Sequence, residues 1–202
     1  MYSYGIFSVY RDTLLYNGVN LGKMPKDTFT SLLAAPFQWS VMKKPEVWGG
    51  ILGSLSIAVG VAYFTYSESE ASMSRDTQYV FPLSAVPIAI GEESLFRGFL
   101  QSGVLRDMPA WGAITFSSLA FGAAHIPNAW SLNEADQIKY YAVSVPLITA
   151  FGAYMGWLTY KNRSLKESVA VHAWYDGTLF LMGALATASI KEQRGFSYSF
   201  AF

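Results

Sequence analysis

The sequence has no cysteine, little charge and no excess of charge of either sign. The absence of cysteine from its 202 residues excludes disulfides, zinc thiolate sites and a cysteine nucleophile. Charged residues make up 14% of the chain, whereas globular domains average about 25%. The 14 basic and 14 acidic residues balance, and because there is no basic run we expect no nucleic-acid partner. A metal ion would therefore have to be held by His, Asp and Glu.

Apolar residues are what the sequence has in abundance. They form 52% of the chain and its mean hydropathy is +0.25, which predicts an all-α, multi-pass transmembrane bundle in a lipid bilayer. Five stretches read as membrane spans: 49–66, 79–105, 110–126, 140–160 and 167–190. We divide the chain into an N-terminal segment (1–48), a first span with its loop (49–78), a four-helix membrane core (79–190) and a tail (191–202).

The N-terminal segment has no long apolar run. Asp27 is predicted to cap a short helix that runs to Ala35, and Pro36 to bend or end it. Lysines beside Trp39 and Trp48 favour an amphipathic segment that lies on the membrane surface. A small soluble subdomain is the alternative. The first ten residues lack the basic and apolar regions of a cleavable signal peptide.

The distribution of Lys and Arg predicts the orientation of the chain. Nine basic residues fall on the side of the N-terminus and four on the opposite side, with Arg97 excluded because it lies within a span. The positive-inside rule then places the N-terminus in the cytoplasm and the C-terminus outside, in a multi-pass protein of the cell membrane.

The second predicted span carries three charged residues, Glu92, Glu93 and Arg97. By insertion scales each costs about 2.5 to 3.5 kcal/mol near the centre of a membrane helix, so an intramembrane cluster indicates a functional site. Glu93 and Arg97 are four residues apart and are predicted to form an ion pair on one helical face. Glu92 is left without a partner, which makes it the candidate catalytic carboxylate.

Both histidines of the chain also lie in predicted spans. Phe121 precedes His125 by four residues and His172 precedes Asp176 by four, so each pair shares a helical face. Counting from the cytoplasmic ends, Glu92 and His125 should lie about 20 Å deep. His172 and Asp176 should lie about 8 to 14 Å deep, unless their helix begins before Glu167. We expect the four polar residues to meet in one cavity.

These residues could hydrolyse a peptide bond in two ways. In the first, Glu92 takes a proton from a water aimed by His125, while His172 and Asp176 stabilise the oxyanion. In the second, a divalent metal such as zinc activates the water. Its ligands would be drawn from Glu92, His125, His172 and Asp176. The first scheme needs Asp176 either protonated or used only to orient His172, because an ionised carboxylate cannot donate a hydrogen bond.

Three motifs in order resemble those of the CPBP family, which comprises CAAX-processing intramembrane proteases and bacteriocin-processing or immunity proteins, also called Abi. The motifs are Glu92-Glu93-x-x-x-Arg97, Phe121-x-x-x-His125 and His172-x-x-x-Asp176. The resemblance covers the predicted core, and the small-residue fourth span with Gly152 and Gly156 fits it. Small residues at this spacing allow helices to approach closely in lipid.

The resemblance implies an intramembrane endopeptidase similar to type II CAAX prenyl endopeptidases, acting on a peptide or membrane-protein substrate. It implies that Glu92, His125, His172 and Asp176 carry the chemistry and that Glu93 and Arg97 support them. The last family position is usually Asn and sometimes Asp. One alternative is a non-catalytic scaffold or immunity-type protein that keeps the polar cluster for folding. Another, an ion carrier, is disfavoured because no inverted repeat is visible.

Overall fold

The computed structural model describes residues 2–65 and 84–192, with side chains placed for 2–61 and 84–182. Most of these residues are helical, and no strand occurs among them, as the all-α prediction requires. The N-terminal part contains α1 (Tyr2–Tyr16), α2 (Phe29–Ala34), a 3-10 turn (Ala35–Phe37), α3 (Trp39–Met42) and α4 (Pro45–Thr65). The predicted loop 67–78, the first residues of the second predicted span with Pro82, and residues 193–202 lie outside the described residues.

The core is built from the helices that carry the predicted motifs. They are α5 (Ala85–Glu93) with a π-helical segment (Ser94–Gln101) and α6 (Ser102–Val104), α7 (Ala110–Ala124), a 3-10 turn (Ile126–Ala129), α8 (Glu134–Lys139) with a second π-helical segment (Tyr140–Ser144), α9 (Val145–Asn162) and α10 (Lys166–Glu192). Pro146 explains the second π-helical segment, because a proline inside a helix leaves the carbonyl one turn earlier without its usual donor.

Polar side chains hold the core helices at one level. The Ser117 hydroxyl of α7 donates to the Phe96 carbonyl at 2.7 Å, and the Arg97 guanidinium donates to the Gly152 carbonyl of α9 at 2.9 Å. One turn further, the Gln101 amide donates to the Gly156 carbonyl at 3.0 Å. A methyl group at Gly152 would meet Arg97 at 3.0 Å, and one at Gly156 would meet Gln101 at 2.6 Å. The Gly-x-x-x-Gly pair is therefore a packing face. It leaves room for the polar side chains of Arg97 and Gln101.

The surface of α7 is apolar where a soluble protein would be polar. Ser117 and Ser118 are buried, whereas Phe116 and Leu119 are 47% and 58% exposed. Among the described residues one helix, Glu134–Asn162, is long and apolar enough to cross a bilayer by itself. Pro45–Val61 is a shorter apolar helix.

The N-terminal segment packs against α10. The Asp27 carboxylate accepts hydrogen bonds from the Leu165 backbone N–H at 2.8 Å and the Ser164 hydroxyl at 3.1 Å. The indole N–H of Trp174 donates to the Pro36 carbonyl at 2.9 Å. Residues 27–36 thus hold the first three turns of the helix that carries His172.

The prediction that Asp27 caps α2 was wrong. Thr28 is the cap, because its hydroxyl accepts from the Ser31 N–H and Ser31 in turn bonds back to Thr28. Asp27 instead neutralises the N–H groups and partial positive charge at the start of α10. Pro36 ends the helix as predicted, inside the 3-10 turn.

Two predicted helix boundaries also differ from those in the structure. The third helix ends at Ala124 instead of 126, because Pro127 cannot continue it. The stretch 128–137, predicted as a polar loop, includes part of a 3-10 turn and the first residues of α8, where the Asn133 side chain accepts from the Asp136 N–H. The fourth helical run is accordingly longer than predicted, from Glu134 to Asn162.

Candidate active site

Glu93 and Arg97 lie at the junction of α5 and the first π-helical segment, and both are fully buried. The Arg97 Nη1 donates to the Glu93 Oε1 at 3.0 Å, so the predicted ion pair is confirmed. The guanidinium also lies over the ring of Phe121, 4.3 Å from its centroid. Burial of such a pair is tolerated only when each charge has partners, and here Gly152 supplies a further acceptor to Arg97.

His172 completes the environment of Glu93. Its Nδ1 lies 2.9 Å from the Glu93 Oε1, the same oxygen that accepts from Arg97. A carboxylate can only accept, so Nδ1 carries the proton. Sequence reasoning assigned Glu93 to Arg97 alone and missed this contact, since the two residues are 79 positions apart and no periodicity within one helix signals it.

The other ring nitrogen of His172 faces two carboxylates. The Asp176 Oδ2 lies 3.4 Å from Nε2 and the Glu92 Oε2 lies 3.7 Å from it. The adjacent residues Glu92 and Glu93 therefore contact opposite sides of one imidazole. Their surroundings differ: the Glu93 side chain is fully buried, whereas that of Glu92 is 34% exposed and its Oε2 has no hydrogen-bond partner in the described part of the chain.

His125 caps the end of α7. Its Nδ1 donates to the Phe121 carbonyl at 2.8 Å, which satisfies one of the free carbonyls of the last turn. The Tyr140 hydroxyl donates to the carbonyl of His125 itself at 3.3 Å. The tautomer that follows leaves the Nε2 of His125 as an acceptor. No direct contact joins Glu92 and His125 in the described structure, so a pairing of the two through water stays a prediction.

A cavity of about 330 Å³ lies beside these groups. His125, His172 and Asp176 line it, and the remaining wall is mostly apolar. Glu92 is not among the residues that line it, but it lies 3.7 Å from one of them, His172. One side comes from α4, through Gly49, Gly50, Gly53, Ser54, Ile57, Ala58 and Val61; the other comes from α9, through Leu147, Ile148, Ala150, Phe151 and Tyr154, with Ser144 just before it. We call this space the site cavity. The Phe121 ring packs against both imidazoles, with its centroid 4.6 Å from that of His125 and 6.0 Å from that of His172.

The predicted difference in depth between His172 and the pair formed by Glu92 and His125 was wrong. His172 contacts both Glu92 and Glu93 directly. The shallower depth was expected for a helix that begins at Glu167 or later. The helix α10 begins at Lys166, and just before it Arg163 adopts a left-handed conformation and Leu165 is completely buried. The turn between α9 and α10 therefore brings the chain inward before α10 starts, and His172 reaches the level of Glu93 within two turns.

The side chains proposed as metal ligands do not form a complete set as they are placed. Within residues 2–61 and 84–182, no three His, Asp or Glu side chains are positioned to hold one metal ion. His172 and His125 each use Nδ1 for a hydrogen bond, to Glu93 and to the Phe121 carbonyl, so only the Nε2 of each ring is open to the site. Without a three-ligand set, we derive no step through a metal. The zinc hypothesis stays a prediction for direct metal analysis.

The chain matches a protein-family model. The model described as type II CAAX prenyl endopeptidase Rce1-like matches residues 76–178, just over half of the chain, and this range includes all three motifs. Comparisons with curated proteins and with solved structures gave no match. The α4 wall of the site cavity and the Asp27 cap of α10 lie outside the matched range.

Proposed function

The chain belongs to the Rce1-like type II CAAX prenyl endopeptidase family, and from this premise we propose that it is an intramembrane endopeptidase in which Glu92 activates water. The observation that carries the proposal is the difference between the two neighbouring carboxylates. Glu93 is committed to Arg97 and His172. The Glu92 side chain is 34% exposed, and its Oε2, which is buried and has no hydrogen-bond partner in the described part of the chain, lies 3.7 Å from the imidazole of His172. This carboxylate is therefore available as a general base.

The remaining roles follow from the hydrogen bonds already described. His125 Nε2 is an acceptor at the cavity wall, where it can hold a hydrogen of the attacking water. His172 is oriented through Nδ1 by Glu93, which directs its Nε2 toward Asp176, Glu92 and the cavity. Protonated at Nε2, His172 would donate to the oxyanion that forms on the scissile carbonyl. Arg97 and Phe121 act by holding Glu93 and the two imidazoles in place.

We propose that the other apolar helices also cross the bilayer, as a multi-pass protein requires. Their outer faces expose large apolar side chains, including Leu52, Ile57, Phe116 and Leu119. Trp48, Trp111 and Trp157 are exposed near the starts of α4 and α7 and the end of α9. These three points lie at one end of the antiparallel bundle, and exposed Trp is typical of a membrane interface. The predicted orientation places this end in the cytoplasm.

Catalysis is tested by Glu92→Gln, assayed on purified protein with a fluorogenic peptide that ends in a farnesylated C-a-a-X motif. Removal of a general base is expected to lower kcat by about 10² to 10⁴, with thermal stability in detergent unchanged. The matched control is Glu134→Gln, an exposed glutamate at the start of α8. Cleavage by Glu92→Gln at the parent rate would reject the proposal and favour the scaffold function. The unprenylated peptide tests whether the lipid is read, and a chelator tests the metal scheme.

Topology is tested with single cysteines, because the natural chain has none. Lys43→Cys and Asn128→Cys place a thiol before α4 and beyond the end of α7, on opposite sides of the bundle. A membrane-impermeant maleimide added to intact cells is expected to label the cysteine at position 128 and to reach the one at 43 only after lysis. The reverse pattern would overturn the orientation, and equal labelling of both would overturn the span assigned to α7.

A further inference from the structure

The polar groups of the site cavity differ in whether they are already hydrogen-bonded. The Tyr154 hydroxyl donates to the Glu46 carbonyl, and the Ser54 hydroxyl donates to the Ile51 carbonyl. Tyr175 also lines the cavity, but its hydroxyl makes no hydrogen bond within the described part of the chain. A phenol that lines the site and is not committed to a protein partner is available to a ligand.

Tyr175 lies on the same helix as His172 and shares an aromatic neighbour with it. On α10 it follows His172 by three residues and precedes Asp176 by one, so all three share a helical face. Its ring packs on Phe151, with centroids 5.0 Å apart, and Phe151 also meets the ring of His172 edge-on at 5.7 Å. These aromatic contacts fix the phenol ring beside the imidazole, which limits where its hydroxyl can point.

The chemistry of Asp176 leaves a donor missing. An amide at this position could donate to an oxyanion, whereas an ionised carboxylate can only accept. In this chain the Asp176 Oδ2 lies 3.4 Å from His172 Nε2, where it can orient or charge the imidazole. A neutral tyrosine hydroxyl is a donor and costs no desolvation of a charge. Resting on the proposed function, we propose that the Tyr175 hydroxyl is the second hydrogen-bond donor to the oxyanion, beside His172.

The step balances without a further reactant. The water oxygen bonds to the scissile carbonyl carbon, its proton passes to Glu92, and the carbonyl oxygen becomes the oxyanion that Tyr175 and His172 bind. When the intermediate collapses, the C–N bond breaks and the leaving amine takes the proton from Glu92. Tyr175 keeps its proton throughout.

The test is Tyr175→Phe, which removes the hydroxyl and keeps the ring stacked on Phe151. With the farnesylated peptide we expect kcat to fall by about 10² to 10³, the usual loss for one oxyanion donor, while KM changes little. Tyr160→Phe is the matched control outside the cavity and should leave both constants and the melting temperature at parent values. A rise in KM with kcat unchanged, or a parent-like kcat, would overturn the proposal.

A double substitution separates catalysis from packing. Asp176→Asn introduces an amide donor one residue away, so Tyr175→Phe in that background should lower kcat at least ten times less than in the parent. An equal loss in both backgrounds would show a structural role and overturn the inference. Glu92→Gln run in the same assay distinguishes the two claims. If it cleaves normally, the proposed function fails; if it is inactive while Tyr175→Phe is normal, only the role of Tyr175 fails.

Discussion

The row formed by Glu93, Arg97 and Gln101 is closed against α9, whereas the site cavity beside it stays open between α4 and α9. Each member of the row is buried and makes at least one hydrogen bond, two of them to glycine carbonyls. One further atom of each, Glu93 Oε2, Arg97 Nε and Gln101 Oε1, has no hydrogen-bond partner in the described part of the chain. At the cavity, the side chain of Tyr175 has no hydrogen bond at all within that part of the chain. His172 belongs to both regions, since its Nδ1 faces Glu93 and its Nε2 faces the cavity.

The two regions serve different purposes: the row stabilises the fold, and the site cavity serves the reaction. In a low-dielectric interior a polar group without a partner is costly, so a row that is bonded within itself by Glu93 and Arg97, and to α9 by Arg97 and Gln101, can serve as a rigid support. Groups that are to bind a substrate must be free of protein partners, and at Tyr175 the cavity leaves space for one. The same physical rule therefore predicts opposite effects of substitution on the two sides of His172.

The largest effect on stability is expected at Arg97. Arg97→Met removes the guanidinium and leaves the buried Glu93 carboxylate without its cation, and breaking a buried pair in this way costs about 3 to 5 kcal/mol. Thermal unfolding in detergent should show a much lower melting temperature and reduced yield. Glu92→Gln is the comparison on the cavity side and should unfold like the parent. Equal melting of Arg97→Met and the parent would break the distinction between the two regions.

Smaller effects are expected from one substitution in α9, against the row, and one in α4, at the site cavity. Gly156→Leu drives a side chain into Gln101 and Ile114, whose atoms lie 2.6 and 3.1 Å from the added Cβ, and overpacking of this kind costs about 1 to 3 kcal/mol. Gly53→Leu enters the cavity, where nothing lies within 4 Å of the Cβ. It should keep the melting temperature and raise KM for the peptide. Similar unfolding of both variants would show that the α4 wall is packed as tightly as α9.

Most of what concerns the three motifs could be predicted from the spacing of residues along single helices. The pairing of Glu93 with Arg97 follows from four-residue periodicity, and the all-α class and the family follow from apolar content and three ordered motifs. Helix ends were predicted less well. His125 lies one residue beyond α7 because Pro127 stops the helix, and α8 begins within a stretch whose polar composition indicates a loop.

The class, the family and the charged residues of the apolar core could therefore be predicted from the sequence, because they depend on composition and on spacing within single helices. Three contacts could be found only in the folded protein: Glu93 contacts His172 as well as Arg97, Asp27 caps the start of α10, 138 residues away, and α4 supplies a wall of the cavity. These contacts join separate segments, and their geometry depends on where each helix starts and how deeply it packs, which no local periodicity encodes.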